Sequence, residues 1–337
     1  MESVVQPELD VRNTGSSTGV LEPMRMVYAN ASAKSLLADS DVLAVIGFGA
    51  NAALVDDPRC LRVGLEPMFD NAPFEVWRGR GPVHADRDGS LAWSSNHEYA
   101  FGCLELAEAD FGGLAATTQH AYEMLKAWCR TSATPHLLRI WNYVDAINLG
   151  EGDDERYRQF CSGRAAGMGS DFACIYPAAT AIGVRDGRRV VQVYWLAART
   201  PGTPVENPRQ VSAWRYPRRY GPAAPGFARG MRAPTRNPQL LVSGTAAVVG
   251  HVSHHVDDCV AQLEETLTNL DSLMSAAQIS QQSQFSLWKV YLRREADVAV
   301  VQPLLRTRFG DECALLLLHG DICRAELLIE IDGVQNV

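Results

Sequence analysis

The order of elements that begins at Leu91 occurs twice in this chain, and a repeat constrains the fold more than any single motif does. An extended run over Leu91–Leu106 leads into a helical stretch, Ala115–Cys129, with Ala121, Met124, Leu125 and Trp128 at helical spacing. Leu137–Val144 reads as a strand and Asp153–Gly163 as a polar helix. Phe172–Ile182 and Arg189–Ala197 follow as two strands joined by the hairpin signal Asp186-Gly187. From Leu240 the order recurs: extended Leu240–Gly250, amphipathic helix Val256–Ala276, strand Leu287–Leu292, short helix Ala296–Arg306, and paired strands Cys313–Leu318 and Cys323–Asp332. Trp141 and Trp288 hold matching places. Each copy reads β-α-β-α-β-β, so the predicted class is α+β, a mixed β-sheet with helices on one face.

The repeats divide the chain. Residues 1–22 are polar, include Gly15-Ser16-Ser17-Thr18-Gly19, and read as a mobile leader. Short apolar pieces at Arg25–Ala29, Val42–Phe48, Cys60–Leu65 and Phe74–Arg78 make residues 23–90 an N-terminal unit, a degenerate third copy. The central unit takes 91–200 and the C-terminal unit 239–337. Between them, 201–238 is a strap with eight of the seventeen prolines and seven arginines. Its Trp214, Tyr216, Tyr220 and Phe227 need somewhere to pack, which favours a functional loop over a disordered linker.

A net charge of −8 disfavours a general nucleic-acid or anionic-membrane surface, so an anionic ligand needs a local cluster of cations. Only three of the thirty-one basic residues are lysines. Codon bias explains that excess, and so does a need for planar guanidinium forks that grip carboxylates in pairs. The eight cysteines include no CxxC pair, which disfavours a zinc site or redox dithiol and fits reduced thiols of a cytoplasmic protein. The N-terminus has no basic-plus-apolar signal pattern, and the run from Val42 to Val55 is too short to span a bilayer.

Several motifs have bland readings that outweigh the sharp ones. Gly47-Phe48-Gly49-Ala50-Asn51-Ala52 imitates a dinucleotide fingerprint, but Asp56-Asp57-Pro58 cuts short the helix that should follow, leaving a Gly-rich turn. His251, His254 and His255 have helical spacing, yet no further ligand pattern supports a metal. Ser253 there reads as a helix cap ahead of Asp257-Asp258. A Ser253–His254 hydrolase pair lacks a nucleophile elbow. Arg139, Trp141 and Tyr143 share one face of their strand, which makes either a stacked surface group or an anion clamp at a seam. The same two readings hold for Arg215, Tyr216, Tyr220, Arg229 and Lys289.

In the last run, Leu327, Ile329 and Ile331 alternate with Glu326, Leu328, Glu330 and Asp332, placing three carboxylates on one face. Crowded carboxylates raise each other's pKa, so a proton-carrying Glu near neutral pH is one reading. A solvated acidic face on an edge strand is the other, and parity alone favours it.

The residues Arg139-Ile140-Trp141-Asn142-Tyr143 with Ile147-Asn148, Glu155–Phe160, Tyr176-Pro177-Ala178-Ala179, Val211–Pro217 with Tyr220-Gly221-Pro222, and Ser243-Gly244-Thr245-Ala246 with Gly250-His251 resemble the chorismatases. The resemblance runs from about Leu91 onward. It implies three RidA-type (YjgF-fold) units fused as a pseudo-trimer, the first degenerate, with the active site in the cleft between the central and C-terminal units. It also implies that Glu330 is the catalytic acid, protonating the enolpyruvyl ether of chorismate so that pyruvate and 3-hydroxybenzoate, and in some members 4-hydroxybenzoate, are released. Arg139, Tyr143, Arg215, Tyr216, Tyr220, Gly244, Thr245, Lys289 and Cys323 form the implied substrate-binding set.

No metal, organic cofactor, nucleic acid or membrane partner is implied, and fused units suit a monomer. Gly244 with Cys323 resembles the aromatising subtype. Strict alternation sets Cys323 on the opposite face from Glu330, so either a bulge near Arg324 realigns it or the subtype reading fails. Rival readings are hydrolysis to a dihydroxycyclohexadiene carboxylate, a RidA-like imine deaminase and a non-catalytic small-acid sensor. The deaminase normally has an arginine on the strand before the Glu strand, and Cys313–Leu318 has none.

Overall fold

The computed structural model describes residues 20–69, 72–169, 176–279 and 286–336. Three large sheets carry the described residues, each with one or two helices on its outer face, and a fourth, two-stranded sheet pairs Val248–Val249 with Val252–Ser253. The N-terminal sheet has four strands in the order Arg25–Ala29, Phe74–Arg78, Val42–Phe48, Cys60–Val63, covered by the short helix α1, Ala33–Leu36. The central sheet of seven strands is backed by α2, Leu114–Thr131, and α3, Arg156–Met168. The C-terminal sheet, also of seven, is backed by α4, Cys259–Ala276, and α5, Val298–Phe309.

Short strands cross between sheets. Asp321–Ile322 pairs with the central strand Ala178–Val184, and Glu66–Pro67 pairs with Ala314–His319 of the C-terminal sheet. His84–Asp88, placed in the N-terminal unit from sequence, pairs with Leu91–Ser95 in the central sheet. The strap contributes Thr203–Val205 and Gly230–Arg232 to the edge of the C-terminal sheet. Val20, Leu21 and Glu22 are not part of a loose leader, since Leu21 is buried and bridges to Thr235; residues 1–19 lie outside the described residues.

Most expected elements recur within a few residues of their predicted bounds because their apolar periods match what they bury. On α2, Leu114, Ala121, Tyr122, Leu125 and Cys129 face the central sheet. The start of the strand expected from Phe172 lies outside the described residues, and the described strand is Ala178–Val184. Helix α4 starts later than expected. Asp258, not Ser253, caps it by accepting from Ala261 N at 3.0 Å. Ser253 lies in the two-residue strand Val252–Ser253, and His255 and Asp257 have positive φ, so the three histidines precede the helix rather than sharing a face of it.

The last strand is Ile329–Asn336, not a run from Cys323. Residues 323–328 form a turn closed by Leu327 N donating to Arg324 O. The side chain of Gln262 on α4 supplies the partners a neighbouring strand would have supplied, accepting from Leu328 N at 2.8 Å and donating to Glu326 O at 2.9 Å. Ile329–Asn336 is also a central strand, flanked by Gln239–Thr245 and Leu287–Leu292, so the expected solvated edge is overturned.

The inner faces of all three sheets meet in one core that includes Trp77, Phe101, Trp141, Tyr194, Tyr291 and Leu316. Trp141 stacks on Tyr194 with centroids 4.8 Å apart. At its middle, Lys289 Nζ lies 3.0 Å from Glu75 Oε2, 3.2 Å from Tyr194 OH and 3.9 Å from Asp332 Oδ1, joining the three sheets through one cation. Both readings of Lys289 as surface group or ligand clamp give way to this buried one.

Candidate active site

Beside this core, between the central sheet, α3, the strap and the turn at 323–328, is a cavity of about 300 Å³. Glu330 lines it and is only 5% exposed. Alternation explains its direction: Ile329 and Ile331 pack toward α4, leaving Glu330 and Asp332 on the inner side. Glu326 belongs to the turn and accepts from Ser253 Oγ at 2.8 Å, so the three-carboxylate face reduces to two.

Asp332 is fully buried and its Oδ2 accepts from four donors: Arg139 Nη2 at 3.1 Å, Trp141 Nε1 at 3.0 Å, Thr180 Oγ1 at 2.8 Å and Tyr291 OH at 2.9 Å. That set holds the charge two residues from Glu330. Burial first, and then the Asp332 charge, push the Glu330 carboxyl up to about 8, against the pull of Arg139, Arg229 and Arg324. At neutral pH it carries its proton.

The strand facing it bends to make room. Pairing between Gln239–Thr245 and Ile329–Asn336 shifts register between Val242 and Thr245, and Gly244 comes to rest against the Glu330 carboxyl. Gly244 N donates to Thr180 Oγ1 at 3.0 Å, tying this backbone to the Asp332 network.

Of the candidate residues read from sequence, Glu330, Tyr216, Tyr220, Gly244 and Cys323 line the cavity. Because 323–328 is a turn, strand parity does not apply to Cys323, and it reaches the same cavity as Glu330 without a bulge. Burial and the nearby Glu330 push its thiol up, so it stays protonated. The other five stand elsewhere. Arg139 and Tyr143 are buried beneath the cavity, Arg139 as the ion-pair partner of Asp332 and Tyr143 with its hydroxyl 3.4 Å from those of Tyr194 and Tyr291. Lys289 sits in the core ion pair with Glu75. Thr245 Oγ1 donates to Ser243 O at 2.9 Å, and Arg215 is exposed on the strap.

The cations that line the cavity are Arg158, Arg164, Arg219, Arg229 and Arg324. Arg158 is paired with Glu155 at 2.9 Å. Arg229 donates to Tyr216 OH at 2.7 Å and Val211 O at 2.9 Å. Arg324 lies 4.3 Å over the Tyr220 ring and donates to His251 O and Ser253 Oγ, each at 3.0 Å. Neither Arg229 nor Arg324 has a carboxylate ion-pair partner among the described residues. With Glu330 neutral, the cavity is electropositive and fits a small dianion.

This geometry has known relatives. The model for the N-terminal part of FkbO/Hyg5-like chorismatases matches residues 75–197. A chorismatase of Streptomyces hygroscopicus is 33% identical over 91% of this chain and 93% of its own. This chain belongs to the chorismatase family. A 3-hydroxybenzoate synthase of the same organism is 35% identical over 78% of this chain and 81% of its own length. A chorismatase crystal structure superposes with a TM-score of 0.81 at 31% identity, covering 94% of this chain and 99% of that one. As in that relative, the chorismatase fold here is a mixed α+β one, and among the described residues no helix is long and apolar enough to cross a membrane.

Proposed function

We propose that the cavity cleaves chorismate to pyruvate and 3-hydroxybenzoate, with Glu330 as the acid. The observation that carries this reading is a carboxyl group, 5% exposed and with its pKa pushed up by burial and by Asp332, inside an arginine-lined cavity. Glu330 gives its proton to the terminal methylene of the enolpyruvyl ether, leaving an oxocarbenium ion. The ether bond to the ring then breaks, its electron pair goes to the ether oxygen, and pyruvate leaves. The ring cation is quenched by its own hydroxyl oxygen and by loss of one proton, which restores the acid form of Glu330. The atoms of the two products sum to those of chorismate, so no water is added and no electrons are exchanged with a cofactor.

Arg229 and Arg324 are positioned to balance the enolpyruvyl carboxylate, since both act on Glu330. Tyr216 and Tyr220 wall the substrate, and Gly244 with Cys323 flanks the ring. Arg139, Thr180 and Tyr291 act through Asp332 and are positioning residues. 4-Hydroxybenzoate as a second product belongs to the same proposal.

We also infer three RidA-like units about a pseudo-threefold axis. What supports it is that Glu75, Tyr194 and Asp332, each from an inner strand of a different sheet, converge on Lys289. Inner faces already covered by the other two units favour a monomer, and the free cysteines among the described residues suit the cytoplasm.

Purified protein incubated with chorismate should release one pyruvate for each hydroxybenzoate formed, 3-hydroxybenzoate foremost, and Glu330→Gln should bind chorismate without turning it over. Chorismate left intact by the wild type would sink the proposal and favour the sensor.

A further inference from the structure

Arg164 is 3% exposed, lines the cavity, and has no ion-pair partner among the described residues. Its Nε and Nη2 are buried without a hydrogen-bond acceptor. A guanidinium cannot shed its charge by deprotonating, and a buried charge left unpaired is costly, so the site is built for an anion that arrives from outside. The local sequence fixes its place. Gly163 and Gly167 lie one helical turn apart on α3, and a Cβ at either would strike the backbone of α2. The two helices therefore press together, and the Arg164 guanidinium rests 5.3 Å from the Tyr122 ring centroid on α2. The cations that act most on Glu330 are Arg139, Arg229 and Arg324, whereas the charge of Arg164 is felt by Tyr122 and Cys161. Arg164 stands on α3 against α2, whereas Glu330, Arg324 and Arg229 belong to the last strand, the 323–328 turn and the strap, so the cavity has a second cationic wall.

We propose that Arg164 clamps the ring carboxylate of the substrate, at this second wall and apart from the enolpyruvyl group. This rests on the reading of the cavity as a chorismate site. The assignment differs from that of Arg229 and Arg324, which serve the carboxylate that leaves in pyruvate. A ligand with only a ring carboxylate therefore depends on Arg164.

The test measures 3-hydroxybenzoate binding by calorimetry and thermal unfolding for wild type, Arg164→Met and Arg164→Lys. Arg164→Met is expected to weaken 3-hydroxybenzoate binding at least about tenfold, as loss of a charged hydrogen-bond pair does, and to raise the KM for chorismate more than it lowers kcat. Without ligand it should unfold at the same or a higher temperature than wild type, because an uncompensated charge is removed. Arg164→Lys should recover part of the affinity. Equal binding by wild type and Arg164→Met, or no binding by wild type, overturns the proposal. So does a lower unfolding temperature of Arg164→Met with KM unchanged, which marks a structural role. If 3-hydroxybenzoate binds through Arg164 while chorismate is not cleaved, the clamp stands and the proposed reaction fails.

Discussion

Gly244 lies flat against the carboxyl group of Glu330: a Cβ at that position would come 2.8 Å from the Glu330 carboxyl carbon, and closer still to Oε1. The glycine is required by approach rather than by backbone conformation, since the shifted register between Val242 and Thr245 brings the strand over the acid. Gly244→Ala must therefore displace either the strand or the carboxyl. A misplacement of an ångström at the reacting group costs about a hundredfold, so kcat should fall by roughly 10- to 100-fold. Because Asp332 keeps Arg139, Trp141 and Tyr291 as donors, none of them on the displaced strand, stability should change less than activity. Assays of kcat and thermal unfolding on the same preparation check this, and an unaltered kcat would show that the close approach of Gly244 does not set the position of the reacting group.

Glu330 also sets a pH dependence whose sign follows from its environment. Its carboxyl is raised from the usual 4.5 to about 8, so the protonated, active form predominates below that value and activity should decline above it. The same shift acts on stability. The folded state resists ionisation, so stability is fully present below about 4.5 and is lost as pH rises toward 8, by on the order of a few kcal/mol. Glu330→Gln removes that loss and should unfold at a higher temperature than wild type at pH about 9, with the gap closing near pH about 5. Asp332→Asn removes the second cause of the shift, so the alkaline fall in activity should move to lower pH. A pH–rate profile that stays put in Asp332→Asn would remove Asp332 from the account.

How far the site was legible in sequence depends on the range of the forces that place each residue. The face of the last strand that Glu330 shares with Asp332, and the paired helices of the repeats, were readable because period-two and period-3.6 patterns are local. The strand's central place in its sheet depends on distant partners, whereas parity alone points to a solvated edge. Cys323 was misplaced because 323–328 alternates like a strand, yet Gln262, over sixty residues earlier, satisfies its backbone. Arg139 had the look of an anion clamp, and it is one, but its anion is Asp332, 193 residues along the chain. Arg164 gave only one hint, the Gly163–Gly167 spacing beside it, which marks close helix contact without saying that a cation faces a cavity.

The Lys289–Glu75 pair joins two sheets at the centre of the core, both side chains 1% exposed. Removing one partner leaves the other charge stranded in a dry interior, so Lys289→Met should destabilise the fold by about 3–5 kcal/mol. Replacing both with apolar residues of similar volume should recover most of that loss, since desolvation offsets much of the attraction between the ions. Denaturant midpoints of the two single variants and the double variant form the cycle. If the double variant is as unstable as the sum of the singles, the pair is not coupled.

Two arginines of the strap stand in opposite surroundings. Arg215 is exposed and does not line the cavity, whereas Arg229 is 5% exposed, lines it, and has an Nε without an acceptor among the described residues. The sequence reading puts Arg215 in the substrate-binding set and leaves Arg229 out of it. The structure separates them, because a guanidinium in water gains little from holding one more carboxylate, while one already desolvated gains nearly the whole charged hydrogen bond. Arg229→Met should raise the KM for chorismate by roughly 10- to 100-fold, and Arg215→Met should leave kcat/KM within about twofold of wild type. Steady-state kinetics on the two variants decide it: if Arg215→Met carries the larger penalty, the strap closes over substrate by a different set of contacts and the carboxylate assignment moves with it.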